Sequence, residues 1–353
     1  MSTTYIGMNT AQLETPVATI DVDKLHKNID GFQSYLDHHQ ISNRPHIKTH
    51  KIPDIARMQM DAGAVGITCQ TLGEAEVMAR AGIEDIFLPY NLLGEQKLAR
   101  LMSLSRLVRV SVTADSNVVV DGLSMAAKKE GIVLPVLVEF DTGGKRCGVQ
   151  SPQAVLALAQ TIVDLPCLDF QGVMTYPSQL GAKPFIDETL ELLQRDGISV
   201  SMVSGGGTGN EAYSKQIGCT ETRSGSYIYE GMQRVGPETV NPETCALRMI
   251  VTVVSTPVAN RIIIDGGMKT FTSYPPIPYG YIIEQPEVEI YGMSVEHGHI
   301  DVSGSSHRFQ VGDQLSVIPV HQGMTSNLHD ELIAVREGQV EASWPIEGRG
   351  KVK

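Results

Sequence analysis

Residues 64–90 read AVGITCQTLGEAEVMARAGIEDIFLPY. A short β-rich run (AVGITCQ, 64–70) gives way to LGEAEVMARAG (72–82), whose apolar residues recur at helical spacing. That stretch ends on glycine, the usual helix stop, and a second β-rich run, DIFLPY (85–90), follows. The segment is one strand–helix–strand unit, and the question it poses is how often the unit repeats.

The same succession recurs along most of the chain. RPHIK (44–48) precedes it, followed by a helical stretch IPDIARMQMDAG (52–63). After it come RVSVTA (109–114), LPVLVEF (134–140), DFQGVMTY (169–176), SVSMVSGG (199–206) and ETRSGSYIY (221–229). Eight strand–helix units over roughly 200 residues match the count and length of a (β/α)8 TIM-type barrel, whereas an open doubly wound sheet rarely needs eight evenly spaced units. The α/β reading therefore places a barrel over residues 24–245. Beyond it, ALRMIVTVVSTPV, NRIIIDGG, EVEIYGMSVEHGHID and DQLSVIPVH are β-rich with little helical periodicity, so 246–353 is expected to be a C-terminal all-β domain. The opening TPVATIDVD (15–23) reads as a strand expected to join that domain. PPIPYGYIIEQP (275–286) has the look of a Pro-rich gating loop, and the tail EGRGKVK that of a loose terminus.

The formal net charge of −12 argues against a nucleic-acid or anionic-membrane partner, both of which call for a basic face. No run of eighteen apolar residues and no apolar leader is visible, and the five cysteines are widely spaced without a CxxC pair. Reduced thiols in a cytoplasmic enzyme are the expectation.

In a barrel, chemistry gathers at the C-terminal ends of the strands. RPHIKTHK (44–51) ends the first strand, and period-2 alternation would put His46, Lys48 and His50 on one side. A lysine there is partly desolvated, with a depressed pKa and a nucleophilic amine; for an isolated lysine, a solvated face is the commoner explanation. Its company decides. The seventh strand runs into SGGGTGN (204–210), a Gly-rich turn of the kind that cradles phosphate, and phosphate sites commonly follow strands seven and eight. Ser224 and Ser226 lie beside it on the eighth strand, with Arg223 near. Arg146 in FDTGGKRCG (140–148) is placed to stand over an anion, and Tyr176 ends the sixth strand. A lysine amine facing a phosphate cradle suggests pyridoxal phosphate held as a Schiff base. Gln70 and Asn91 end strands two and three and are candidates to line the pocket. Cys69 reads more readily as a buried small hydrophobe, and His299 and His307 as solvated.

The order RPHIKTHK, CQTLGEAE, FDTGGKRCG, SGGGTGN, RSGSY, DGGMK (265–269) and EHG (296–298) resembles the D-threonine aldolase and D-serine dehydratase family, with its alanine-racemase-type barrel. The resemblance covers nearly the whole chain. It implies that Lys48, and not Lys51, carries the cofactor, that Gly206, Gly207 and Ser226 help hold its phosphate, and that Arg146 and Tyr176 lie near cofactor and substrate. It also implies a homodimer acting on a small amino-acid substrate.

That family holds a divalent ion (Mn, Mg or Zn) near the substrate β-hydroxyl through a pattern like H-x-[CD]-P-T-x-N. Here the segment is HQGMTSN (321–327): His321, Thr325 and Asn327 match, but Gly323 replaces the second ligand and Met324 the proline. A lone imidazole rarely holds a divalent ion, so His321 is the one expected ligand and the metal is in question, unless His329 or Asp330 substitutes. The expected reaction is retro-aldol cleavage of D-3-hydroxy amino acids to glycine and an aldehyde, with Lys48, Tyr176 and His321 as catalytic residues. The alternatives are a racemase or epimerase, a D-serine-type dehydratase and, in a different class, a non-catalytic cofactor carrier.

Overall fold

A computed structural model describes residues 5–207, 209–232, 241–274 and 278–353. Two compact units divide the chain. A barrel unit comprises Phe32–Lys48, Ile55–Gly225 and Lys351–Lys353, and a sheet unit comprises Met1–Gly31, Thr49–Asp54 and Ser226–Gly350.

After a first strand β1 (Val17–Asp21) and helix α1 (Val22–His38), the barrel unit alternates β2 (Ser42–Asn43), α2 (Pro53–Asp61), β3 (Ile67–Thr68), α3 (Leu72–Arg80), β4 (Asp85–Leu88), α4 (Glu95–Ser105), β5 (Arg109–Ala114) and α5 (Asn117–Glu130). It continues with β6 (Leu134–Phe140), α6 (Pro152–Asp164), β7 (Leu168–Thr175), α7 (Lys183–Arg195), β8 (Met202–Gly205), α8 (Glu211–Gln216) and β9 (Glu221–Thr222). The eight strands pair in parallel in the order β2-β9-β8-β7-β6-β5-β4-β3. A His46–Thr68 bridge, with Thr68 N–H donating to Pro45 O at 2.8 Å, joins the two ends of that row and closes it. Closure leaves no open strand edge, and the (β/α)8 expectation holds.

Local chemistry explains the element ends. Thr71 and Glu74 form a reciprocal capping box at the start of α3, and the helix gives way to Gly82 at φ +92°, a conformation that favours glycine. Inside the barrel Phe87, Leu137 and Met174 make a fully buried apolar layer with Met202 packed against it. Each contributes about 1.5–3 kcal/mol of burial. Because strand side chains alternate, Glu139 lies on the same face as Leu137, one step nearer the C-terminal end of β6.

RPHIK is not a strand throughout. Regular pairing stops at Asn43, and Ile47–Thr49 is a 3₁₀ turn, so the expected alternation of His46, Lys48 and His50 does not apply. Pro45 lacks the N–H that would continue a ladder. The eighth strand is likewise shorter than ETRSGSYIY, ending at Thr222 before a second 3₁₀ turn, Ser226–Ile228. The tail is pinned, not loose. Lys351 O accepts the Thr71 hydroxyl, and Lys353 O accepts Gly73 N–H at 2.9 Å and Arg100 at 3.1 Å.

Among the described residues the sheet unit forms a nine-stranded sheet in which β1 lies between β10 (Leu247–Val258), antiparallel, and β16 (Glu331–Arg336), parallel. Its other strands are β11 (Arg261–Ile264), β12 (Gly280–Ile282), β13 (Glu289–Met293), β14 (Gly298–Asp301), β15 (Gln314–Pro319) and β17 (Gln339–Pro345). The units divide the chain at 225/226, whereas the sequence suggested 245/246. Residues 226–232 and 241–246 are tied to this unit by Asn28, which donates to Ile228 O and Thr244 O, and by Ala246 N–H donating to Tyr229 O at 3.0 Å. Of the expected Pro-rich loop, 275–277 lie outside the described residues and Gly280–Ile282 is β12. Among the described residues no helix is long and apolar enough to cross a membrane.

Candidate active site

Lys48 occupies the middle of the 3₁₀ turn that follows β2. Its backbone N–H donates to His46 Nδ1 at 3.4 Å, and the buried His46 ring meets Gln70 Oε1 through Nε2 at 3.1 Å. Gln70 is held in turn by its own N–H donating to Glu74 Oε2 at 2.7 Å. Lys48 keeps access to solvent as a residue, but the protein packed around its amine partly desolvates it. That desolvation lowers its pKa below the usual 10.5, Arg146 and Arg223 add to the effect, and Glu74 opposes it. His46, fully enclosed and beside that amine, is pushed well below the ordinary histidine range, so it is neutral.

Tyr176 and Arg146 stand with Lys48. The Lys48 Nζ lies 5.7 Å from the Tyr176 ring centroid, and the Arg146 guanidinium carbon 4.8 Å from the same centroid. Arg146 is also 3.3 Å from Glu139 Oε1. Burial raises the Glu139 pKa above its usual 4.5, and the attraction of Arg146 offsets part of that rise. Glu139 went unnoticed in the sequence. Its signal was there, as one acid in the otherwise apolar LPVLVEF.

Arg223 is buried within the barrel unit. It donates to Ser204 Oγ and, at 2.9 Å, to Thr175 O, and its guanidinium lies 5.7 Å from the Phe87 centroid. Ser204 Oγ donates to Glu221 Oε1 at 2.5 Å, and Glu221 Oε2 accepts Arg44 Nε at 2.9 Å. Arg44–Glu221–Ser204–Arg223 is thus one polar chain across the barrel, which fixes the Arg223 cation.

The Gly-rich turn sits beside the Tyr176 loop. Ser178 N–H donates to Gly206 O at 2.7 Å, while Gly206 N–H donates to Ser178 Oγ at 3.0 Å. The Gly206 amide expected to face a phosphate is therefore engaged with Ser178. Gly207 has φ +127°, and a Cβ there would come within 3.1 Å of Asn210 Nδ2 and 3.3 Å of Pro177 Cβ. Its carbonyl accepts the Ser224 hydroxyl at 3.2 Å. Thr208, between them and the helix, lies outside the described residues. A turn that excludes side chains, a desolvated amine and two arginines suit pyridoxal phosphate: an anion, an aldehyde and an amino-acid carboxylate each find a matching group. Cys69 is buried with its thiol pKa pushed up, as a core residue and not a reactive one.

Two expected residues belong to the sheet unit. Ser226 is buried at the start of its 3₁₀ turn. His321 precedes the short helix Gln322–Ser326, its Nδ1 accepting Met324 N–H at 3.2 Å and its ring meeting Tyr274 edge-on at 4.7 Å. The metal does not fit what surrounds it. Gly323 offers no donor, His329 Nε2 is engaged with Thr270 O at 3.0 Å, and Asp330 is paired with Arg349. Among the described residues no three His, Cys, Asp or Glu side chains are grouped to hold an ion.

Closed parallel barrel, lysine at its mouth and Gly-rich turn beside it define a chain of the alanine-racemase type. Residues 20–233 match the family described as alanine racemase, N-terminal domain, and 246–335 match a putative serine dehydratase domain; the chain belongs to this family. It is 34% identical to a D-threonine aldolase from Arthrobacter sp over 96% of this chain and 94% of that one. It is 31% identical to a 3-hydroxy-D-aspartate aldolase from Paracoccus denitrificans over 98% and 94%. The crystal structure of D-threonine aldolase from Filomicrobium marinum superposes with a TM-score of 0.91 at 28% identity, covering 99% of both chains.

Proposed function

We propose that this chain is a pyridoxal-phosphate-dependent lyase that cleaves D-3-hydroxy amino acids between Cα and Cβ, giving glycine and an aldehyde. The observation that carries the reading is the Lys48 amine, desolvated beside Tyr176 and Arg146 at the mouth of the barrel. Aldolase names among relatives that span nearly the whole chain support it. When bound, the cofactor supplies a conjugated electron sink for the pair left at Cα as the Cα–Cβ bond breaks.

Lys48 is the residue to carry the cofactor as a Schiff base. The Gly207 turn, shaped by the Gly206–Ser178 pair, and Ser226 serve its phosphate. Arg146, steadied by Glu139, takes the substrate carboxylate. In the cleavage the hydroxyl proton departs, the C–O bond becomes the aldehyde carbonyl, and Cα gains a proton to give glycine. His321 holds the hydroxyl oxygen, whose proton passes through water to the Lys48 amine, and Lys48 with Tyr176 returns a proton to Cα. A homodimer working in the cytoplasm completes the reading, in keeping with five unpaired cysteines.

The test is borohydride reduction of the cofactor-loaded protein followed by peptide mapping, together with product analysis on D-threonine, D-serine and D-alanine. A cofactor adduct on Lys48, with glycine and acetaldehyde from D-threonine, is expected. Labelling at Lys51, or the mirror-image amino acid as sole product, would replace the lyase with a different enzyme of the same fold.

A further inference from the structure

We propose that this chain performs its β-hydroxyl chemistry without a divalent metal ion, because the turn bearing His321 is built as a capped helix start and not as a pair of ligands. This rests on the lyase reading above and sharpens it at one residue.

His321 has extended backbone (φ −137°, ψ 97°) and caps Gln322–Ser326 with its side chain, Nδ1 accepting the Met324 N–H at 3.2 Å. A ring nitrogen that accepts an N–H carries no proton, so the neutral imidazole bears its proton on Nε2. A metal on Nε2 would force that proton onto Nδ1. Ligating histidines point their other N–H at an acceptor, but here Nδ1–H would face a second N–H, and the two donors oppose each other.

Both departures in HQGMTSN act in the same direction. Gly323 removes a donor, and Met324 supplies the amide that captures Nδ1, where a proline would have none. The rest of the turn is equally committed. The Thr325 hydroxyl donates to Phe271 O, the Ser326 hydroxyl to Gln322 O at 2.9 Å, and Lys51 Nζ reaches Asn327 Oδ1 at 2.8 Å. The proton on Nε2 makes the ring a hydrogen-bond donor suited to a hydroxyl or aldehyde oxygen, the task a metal would otherwise perform as a Lewis acid.

The same geometry says the site can be restored. A Cβ at Gly323 would lie 3.5 Å from Thr49 Cα and 3.6 Å from His321 Cε1, ordinary contact distances. Proline at 324 falls in the first helical turn, where it is tolerated.

The experiment takes full-length, cofactor-loaded protein stripped with EDTA and desalted. Mn²⁺ and Zn²⁺ are titrated into it by calorimetry, and D-threonine cleavage is followed with and without chelator. The same is done for Gly323→Asp and for Gly323→Asp/Met324→Pro, each first checked by thermal melting. Native protein is expected to show no saturable metal binding and a rate unchanged by EDTA. The double variant is expected to bind one ion per chain, at least tenfold more tightly than Gly323→Asp alone. Stoichiometric binding by the native protein, or a rate lost to EDTA and regained with Mn²⁺, overturns the proposal and leaves the lyase reading intact. A double variant that gains no metal overturns it as well. Should no D-3-hydroxy amino acid be cleaved, the lyase reading fails and calorimetry still decides the metal.

Discussion

Glu139 Oε1 lies 3.3 Å from the guanidinium of Arg146, a buried carboxylate beneath a half-exposed cation. Because the folded pKa of Glu139 is raised, the folded state holds its proton more tightly than the unfolded chain. Stability is therefore unaffected below pH 4.5 and falls as pH rises through the raised value. Replacing Glu139 with Gln should raise the melting temperature at pH 7 by a few degrees, about 1 kcal/mol, with little gain at pH 4.5. The same change frees Arg146, so KM for the amino acid should rise about tenfold with a smaller effect on kcat. Melts at both pH values and steady-state kinetics check the two halves; a gain independent of pH would contradict the burial argument.

Lys48 gives the opposite slope. Its folded pKa is depressed, so the cofactor-free protein is destabilised while the amine is charged and recovers as pH rises through the lowered value toward 10.5. Lys48→Met should stabilise the cofactor-free protein at pH 7, the advantage fading by pH 10.5, and should abolish turnover. Thermal melts of both proteins across that range provide the check.

Gly207 and Gly206 make a matched pair. Alanine at 207 must adopt φ +127° and press on Asn210 and Pro177, a strain of about 1–3 kcal/mol, whereas at 206 its Cβ meets Arg223 Cβ at an ordinary 3.4 Å. Pyridoxal phosphate affinity, read by absorbance titration, should fall about tenfold or more for Gly207→Ala and change little for Gly206→Ala. Equal losses would move the phosphate contact to Gly206.

Arg44 anchors the polar chain that ends at Arg223. Arg44→Met removes the cation hydrogen-bonded to buried Glu221 and paired with Asp85, and should cost about 3–5 kcal/mol in denaturant unfolding. A loss below about 1 kcal/mol would mean that Ser204 and Arg223 suffice to hold Glu221.

Legibility in the sequence followed local chemistry. RVSVTA and LPVLVEF coincide with β5 and β6 because β-branched residues fill a strand buried on both faces. The strands richest in function were the least legible. RPHIK and ETRSGSYIY break early, since proline, serine and glycine divert backbone groups from the ladder into turns that present Lys48 and Ser224. The residue types at the site were apparent, as were Gly323 and Met324. What no spacing could reveal was which groups meet: Glu139 under Arg146, Ser178 on the Gly206 amide, and the Met324 N–H on the His321 ring.

The division of RPHIKTHK also bears on how such chains recombine. Lys48 is the last residue of one barrel segment and Thr49 the first of a sheet segment, and the backbone passes between the units five times, at 31/32, 48/49, 54/55, 225/226 and 350/351. Any chimera made by one crossover between two homologous genes will therefore mix parental segments within at least one unit. Exchange of a whole unit requires three coordinated segments, so families of this architecture should diversify by substitution within turns such as 321–327 more readily than by shuffling of domains.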